Sequence, residues 1–497
     1  MDRRLFLIAD LQLPIANWTS PTPRSKFRNR QFGNGQAAIG NRQSSKMDSL
    51  TYLQLLRRNR SFRRLWLGQV ISELGNWFNF IAALGLVRAV SHASPEVTTI
   101  ILVARLLPFT IFAPFAGAFV DRWSRRTVML VADIARILVA LAMLLIRGPE
   151  DLWIAYACMV LLSLFGAFFE AAKNAAVPNI TGDRDLLAGN ALMFSSRFLL
   201  MAFGAALGGW TAATVGYKAA FIVNAVSFAV SAYSIWLIPA VDMKTAATVP
   251  ETRNRPKHAS YWADIREGWS YILSHTPVAA ILGINILWAT GGGAINLISD
   301  RLGGIVFAGD RGISGDAAVA ALYFAAGVGL FLGMMIARRV GAYLELSGKT
   351  ADFIGWGLIG QGLVFALVGA MPSLWLACLL LFISRIVLAA EFAVQETLLM
   401  RLVPDYLRGR VGTSDRALEL LIWSFSTAIE GWSLRAITPR TLTAIAGLLS
   451  ASSGVVWLAL LATRKLQLPR TMETAIESEL KEGPSDETEV EKAGTTL

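Results

Sequence analysis

The sequence predicts an all-α membrane protein: twelve transmembrane helices in two pseudo-symmetric halves of six. Three observations lead there. Hydrophobic residues make up 54% of the 497 and charged residues 16%, where soluble domains carry about 45–50% and about 25%. Apolar segments of about 20 residues, enough to cross ~30 Å of hydrocarbon, recur along the chain. Lysine and arginine concentrate on alternate connections between those segments, as they do when one side of a membrane collects positive charge.

The elements follow in order. Residues 1–57 hold Arg, Ser, Asn, Gln and Pro with few acids, and read as a disordered basic segment. An organelle transit peptide and a mis-assigned start at Met47, ahead of Arg57, Arg58 and Arg60, both remain open. The first half, 58–238, contains apolar spans at 65–88, 97–119, 127–146, 152–172, 188–212 and 217–238. A polar linker covers 239–275. The second half, 276–464, contains spans at 276–299, 315–336, 351–370, 373–396, 412–434 and 441–463. A disordered acidic tail, 465–497, ends the chain. Segments this long and apolar imply helices, because the strands of a closed barrel are shorter and alternate.

Loop charge gives the orientation. Arg88, Arg147, Lys218, Arg301, Arg311, Arg435 and Arg440 fall on one side. The remaining basic connections, the linker among them, fall on the other, which is expected to be cytoplasmic and to hold both termini. The expected location is the cell membrane, or an organelle membrane if 1–46 is a transit peptide.

Several function classes drop out. The net charge of +11 is spread over short loops and forms no nucleic-acid footprint. Cys158 and Cys378 stand alone in apolar runs, which points to packing. His92, His258 and His275 are scattered, so no metal site or catalytic triad can be built from them. No G-x-x-x-x-G-K-S/T loop is present to hold a nucleotide. The reading is of a non-enzyme without cofactor or metal.

The halves echo each other. Glu170-Ala-Ala-Lys-Asn-Ala-Ala-Val-Pro-Asn179 ends the fourth span and Glu396-Thr-Leu-Leu-Met-Arg-Leu-Val-Pro-Asp405 ends the tenth. A six-plus-six repeat about a central linker places a small-molecule site between the halves, near the membrane midplane.

The connection after the second span reads Gly117-Ala-Phe-Val-Asp121-Arg122-Trp-Ser-Arg125-Arg126. It closely resembles the G-x-x-x-D-R/K-x-G-R-R/K loop of the major facilitator superfamily. Further stretches resemble the drug-efflux branch that includes enterobactin and macrolide exporters. They are Phe62–Gln69 leading into Leu74–Asn79, Ala104-Arg-Leu-Leu-Pro108, Asp133-Ile-Ala-Arg136, and Leu402–Asp405 with Leu407–Val411. The likeness covers roughly 60–470. It implies proton-coupled export of a small drug- or siderophore-like molecule by alternating access, by a monomer embedded in the bilayer. It also implies an inner gate at Gly117, Asp121, Arg122, Arg125, Arg126, Asp133 and Arg136, with Asp121 bracing the start of the eleventh helix in one state. Ser124 replaces a family glycine, Ala337-Arg-Arg-Val-Gly341 lacks the second-half aspartate, and Ala205 in Gly204–Gly209 replaces the proline of the antiporter motif. An uptake or lipid-flipping carrier and a non-transporting scaffold or sensor therefore stay as alternatives.

Ionisable groups inside spans cost at least about 2.5–3.5 kcal/mol at the bilayer centre, so each needs a reason. Glu73, Asn76 and Asn79 are spaced by three and broadly share a face. They read as a proton- or substrate-contacting site, with a buried helix tie as the other reading. Arg105 is expected to face the cavity with Glu73 as a partner. Arg197 is expected near Glu170, which has Lys173 as a second candidate. Asp133 and Arg136 are expected to pair near the inner end. Gly291-Gly292-Gly293 invites a bend in the seventh span, and Pro108 and Pro114 invite one in the second. Trp77, Phe78, Phe80 and Trp288 are open between lipid contact and cavity lining.

Overall fold

The computed structural model describes residues 52–120, 122–243, 261–293, 295–404, 407–463 and 466. The basic N-terminal segment up to Thr51, most of the linker's first half, Asp121 and the acidic tail from 467 lie outside the described residues. Among the described residues every regular element is helical. A short α1 (Tyr52–Arg58) leads into α2 (Arg60–Val90), α3 (Pro95–Val120) and α4 (Arg125–Ala142). The long α5 (Leu152–Thr214) makes two crossings, and α6 (Tyr217–Trp236) closes the first half. The linker supplies α7 (Tyr261–Ser274). The second half holds α8 (Thr276–Gly292), α9 (Ile295–Arg301), α10 (Gly315–Ser347), α11 (Thr350–Val368), α12 (Leu374–Leu402), α13 (Arg408–Ser433) and α14 (Pro439–Ala462).

Local chemistry sets several boundaries. Asn59 caps α2 by accepting from the Phe62 N–H at 2.8 Å, while its Nδ2 donates to the Ile180 carbonyl at 2.7 Å. Ser314 caps α10 and Thr438, followed by Pro439, caps α14. Each satisfies an orphan backbone donor. Gly348 ends α10 at φ 66°, a left-handed conformation that a side chain resists.

Among the described residues eleven helical stretches are long and apolar enough to span a bilayer. The twelfth long helix, α13, carries Arg408, Arg410, Asp415, Arg416, Glu419 and Glu430. It packs on α3 and α8, while Phe425, Ile429 and Trp432 form an exposed apolar face. Lipid-facing surface shows elsewhere as well: Leu138, Trp210 and Trp356 stay more than half exposed.

Three details depart from expectation. The fourth crossing continues through Val177-Pro178-Asn179 to Gly182, whose φ of 68° and ψ of 168° break the helix. Pro178 sits close enough to that break for membrane packing to tolerate it. The matching Val403-Pro404 lies just past the end of α12, so the echoed motif falls inside a helix once and outside it once. Pro108 and Pro114 leave α3 continuous, whereas the glycine run does break its span, with α8 ending at Gly292 and α9 starting at Ile295.

Within the first half α2 packs on α5 and α6, and α4 on α5 and α6; within the second half α11 packs on α12 and α14, and α10 on α12. Small residues permit the approach, since a Cβ on Gly362 would lie 2.5 Å from the Ala451 nitrogen. The halves meet along two helix pairs, α5 with α10 and α3 with α13. The linker helix α7 packs on the second half. Ile272 is buried, Tyr271 donates to the Leu402 carbonyl at 2.9 Å, and Glu267 pairs with Arg410.

Candidate functional site between the two halves

The two membrane faces differ. We call the face where α2 ends and α3 begins the far side, and the face where α2 begins and α14 ends the terminal side. The hydrogen bonds and ion pairs seen between the halves gather at the far side. Arg88 at the end of α2 pairs with Asp300 on α9 and with Asp316 on α10. The Tyr217 hydroxyl donates to Asp316 Oδ2 at 2.8 Å. Arg301 donates to the Ala93 and Ser94 carbonyls, at 2.6 and 3.0 Å, and to Thr98 Oγ1. Arg435 donates to Glu96 at 2.7 Å. Asp300 and Arg301 are 0% and 1% exposed, so the centre of this network is shielded from solvent, while the Glu96–Arg435 pair at its rim is exposed.

Beneath the seal the helices stay close. A Cβ on Gly327 would lie 2.8 Å from the Ala202 nitrogen of the other half. Toward the terminal side the packing loosens, and a Cβ on Gly117 would meet nothing within 4 Å. The side-chain pairs between the halves thus gather on the far side, and we call the region between the halves toward the terminal side the chamber.

Polar side chains line this chamber. Asn76 donates to Glu73 at 3.4 Å, a long contact, and both are partly exposed. Asn79 lies elsewhere. It is 4% exposed, and its Oδ1 has no hydrogen-bond partner among the described residues. Three-residue steps rotate it away from Glu73 and into packing. Arg105 stacks over Phe80 and Trp77, with Cζ 3.8 and 5.5 Å from the ring centroids. Tyr323, from the opposite half, sits 5.7 Å from both rings. Glu73 and Arg197 lie within electrostatic range of Arg105, but Glu73 makes no ion pair with it among the described residues. Glu170 is held by Lys173 at 2.6 Å, with Arg197 and Arg136 in electrostatic range.

The residues expected at an inner gate are not drawn together across the halves. Arg125 donates to the Met243 carbonyl at the start of the linker and Arg126 to the Trp236 carbonyl of its own half, Arg122 is exposed, and Asp121 is outside the described residues. Asp133 and Arg136 do pair, but about two to three helical turns into α4, deeper than the inner end. Arg136 is packed between Phe169 and Phe228, 4.2 and 4.5 Å away, within electrostatic range of Glu73 and Glu170. The second half contributes Asp415, which accepts from Asn285 at 3.2 Å; Asn285 in turn accepts from Gln395 at 2.6 Å. Among the described residues no group of three or more His, Cys, Asp or Glu could hold a metal. Cys158 and Cys378 are free and buried.

Sequence reasoning missed the far-side seal. Arg88 and Arg301 looked like loop charges, because the seventh span was expected to end at 299. The helical path runs on through Val306, carrying Asp300-Arg301 into the protein. Opposite charges at the ends of neighbouring spans were the available signal.

Comparison with known proteins fits this architecture. The family model for the Major Facilitator Superfamily matches residues 65–348. The MFS-type transporter YfiS of Bacillus subtilis (strain 168) is 26% identical over 44% of this chain and 50% of its own length. BacE of the same strain, named for bacilysin export, is 29% identical over 34% of this chain and 41% of its own. The chain thus spans about half the length, or less, of these curated relatives. A bacterial homologue of the iron transporter ferroportin, in an inward-facing state, superposes with a TM-score of 0.60 at 15% identity, covering 80% of this chain and 98% of that one. The nucleoside transporter NupG gives 0.61 at 10% identity, covering 82% and 100%. At such identities the likeness speaks for the fold. With the family model covering more than half of its residues, the chain belongs to the major facilitator superfamily, as a multi-pass membrane protein.

Proposed function

We propose that the chain is a secondary active transporter that exports a small amphiphilic molecule in exchange for protons, by alternating access. The observation that carries this reading is the asymmetry of the inter-half contacts: separable side-chain pairs gather on the far side, while toward the other side Glu73 and Arg105 stand without an ion pair across the halves among the described residues. Parting those pairs and closing the terminal side gives the second state, with 58–238 and 276–464 as the moving halves and 239–275 as their connection. The terminal side is cytoplasmic in this reading, the membrane is the cell membrane, the working unit is a monomer, and nucleic acid plays no part.

Glu73 is the proposed coupling group. It faces the chamber without an ion-pair partner among the described residues, so gaining a proton changes the cost of burying it and biases one state over the other. The likeness to BacE supports export. Ala205, where an antiporter proline would be expected, favours the rival reading of an uptake or lipid-flipping carrier. Reconstituted vesicles under an imposed pH gradient test the coupling. Transport should follow the gradient and lose that dependence in Glu73→Gln; transport that ignores the gradient and survives the substitution unchanged refutes it.

A further inference from the structure

The chamber holds guanidinium groups that the protein leaves without acceptors. Arg88, Arg136 and Arg301 each meet a carboxylate or carbonyl. Arg105 and Arg197 differ: among the described residues no hydrogen bond or ion pair engages either guanidinium. Stacking on Phe80 and Trp77 occupies the face of the Arg105 plane and leaves the in-plane N–H donors along its edge free. Next to it the Trp77 indole N–H is buried and also lacks an acceptor. The Tyr323 hydroxyl donates to Asn296 Oδ1 at 2.8 Å, and among the described residues neither Arg105 nor the Trp77 N–H donates to it.

The nearby acids leave this demand standing. Lys173 holds Glu170 in a pair, and Asp133 is taken by Arg136. Only Glu73 remains, bonded to Asn76, against the two arginines. A charge kept in a membrane protein without a counter-charge is costly, and the missing partner here is negative. The surroundings specify more than charge. The guanidinium edge offers two parallel donors matched to a carboxylate, while the partly exposed Trp77 ring, backed by the buried Phe80 and by Tyr323 of the other half, offers an apolar wall.

We infer that the transported molecule carries a carboxylate, or an oxyanion of similar size, that docks on Arg105 with Arg197 as a second cation, and an aromatic or apolar body that rests on this wall. This assigns a substrate class to the chamber and rests on the transport reading above.

Three probes with one ring system and different charge test it on the purified full-length chain: indole-3-acetate, indole-3-acetamide and tryptamine. Binding by calorimetry and protection against thermal unfolding are read for each. Indole-3-acetate should bind and protect, with the amide and the amine weaker. Arg105→Gln should weaken indole-3-acetate by about tenfold or more, the scale of a lost charge-assisted hydrogen bond, and Arg105→Lys should recover part of the loss. Glu73→Gln, which removes the competing carboxylate, should tighten it. Should Arg105→Gln not fold, the order of the three probes on the unsubstituted chain and the Arg105→Lys result still decide. A response to tryptamine that equals or exceeds that of indole-3-acetate overturns the inference, and so does anion binding that survives Arg105→Gln. Labelling single cysteines on α5 near Arg197 from both membrane faces separates this from the transport reading. Access from one face only refutes alternating access while anion binding persists; access from both with amine preference refutes the anion assignment alone.

Discussion

Asp300→Asn isolates the far-side seal. Asp300 is fully buried and pairs with Arg88, and the Arg301 Nε lies 3.6 Å from its other oxygen. Removing one partner of a buried ion pair costs about 3–5 kcal/mol. Arg88 keeps Asp316, so about 2–3 kcal/mol is a fair share of that loss. In the proposed alternating-access cycle the network exists only while the far side is closed; in the opposite state the same groups face water, where an amide replaces a carboxylate at little cost. The loss therefore falls on one state and raises the far-side-open population roughly 30- to 150-fold. Thr99, 8% exposed and packed against Gly431 of α13, reports that opening as a cysteine in a background lacking Cys158 and Cys378. Its reaction with a membrane-impermeant thiol reagent added on the far side should accelerate by about the same factor, provided opening is fast relative to labelling. An unchanged rate would mean that these charges do not hold the far side shut.

Two further outcomes follow from the same geometry. Tyr217→Phe removes one 2.8 Å hydrogen bond to Asp316, about 1 kcal/mol; far-side labelling should rise about fivefold, less than for Asp300→Asn. Gly327→Ala places a methyl group 2.8 Å from the Ala202 nitrogen, an overpacking of about 1–3 kcal/mol that only parting α5 from α10 relieves. Its thermal unfolding midpoint should fall, while Gly341→Ala, whose methyl would meet only Val394 at 3.8 Å, should leave the midpoint unchanged.

The fold was legible because hydrocarbon imposes its pattern residue by residue: a span must be apolar for about 20 residues, and linker and spans differ accordingly. The glycine run announced the α8–α9 break for the same local reason. What escaped depended on partners distant in sequence. Whether Asn79 shared the chamber with Glu73 turned on which neighbour each helix face met. Arg88 and Asp300 are 212 positions apart, and nothing local to either marks them as one contact. The linker helix α7 was read as plain polar linker, although Ile265, Trp269 and Ile272 carry helical spacing. Arg105 was read as a cavity residue from its place in an apolar span, but the rings that hold it come from α2 and α10, and only assembly shows that no carboxylate completes them.

The core of the seal joins two cations, Arg88 and Arg301, to two anions, Asp300 and Asp316, at the same end of the helix bundle. In the proposed motion, in which the halves tilt apart, these groups separate sideways, along the plane of the bilayer. Displacement across the field is what voltage acts on, at about 2.3 kcal/mol per charge per 100 mV. Opening the far side consequently does almost no electrical work, and the resting potential cannot push the seal apart. Any current or voltage dependence recorded from this chain belongs to the cargo and the chamber charges that accompany it.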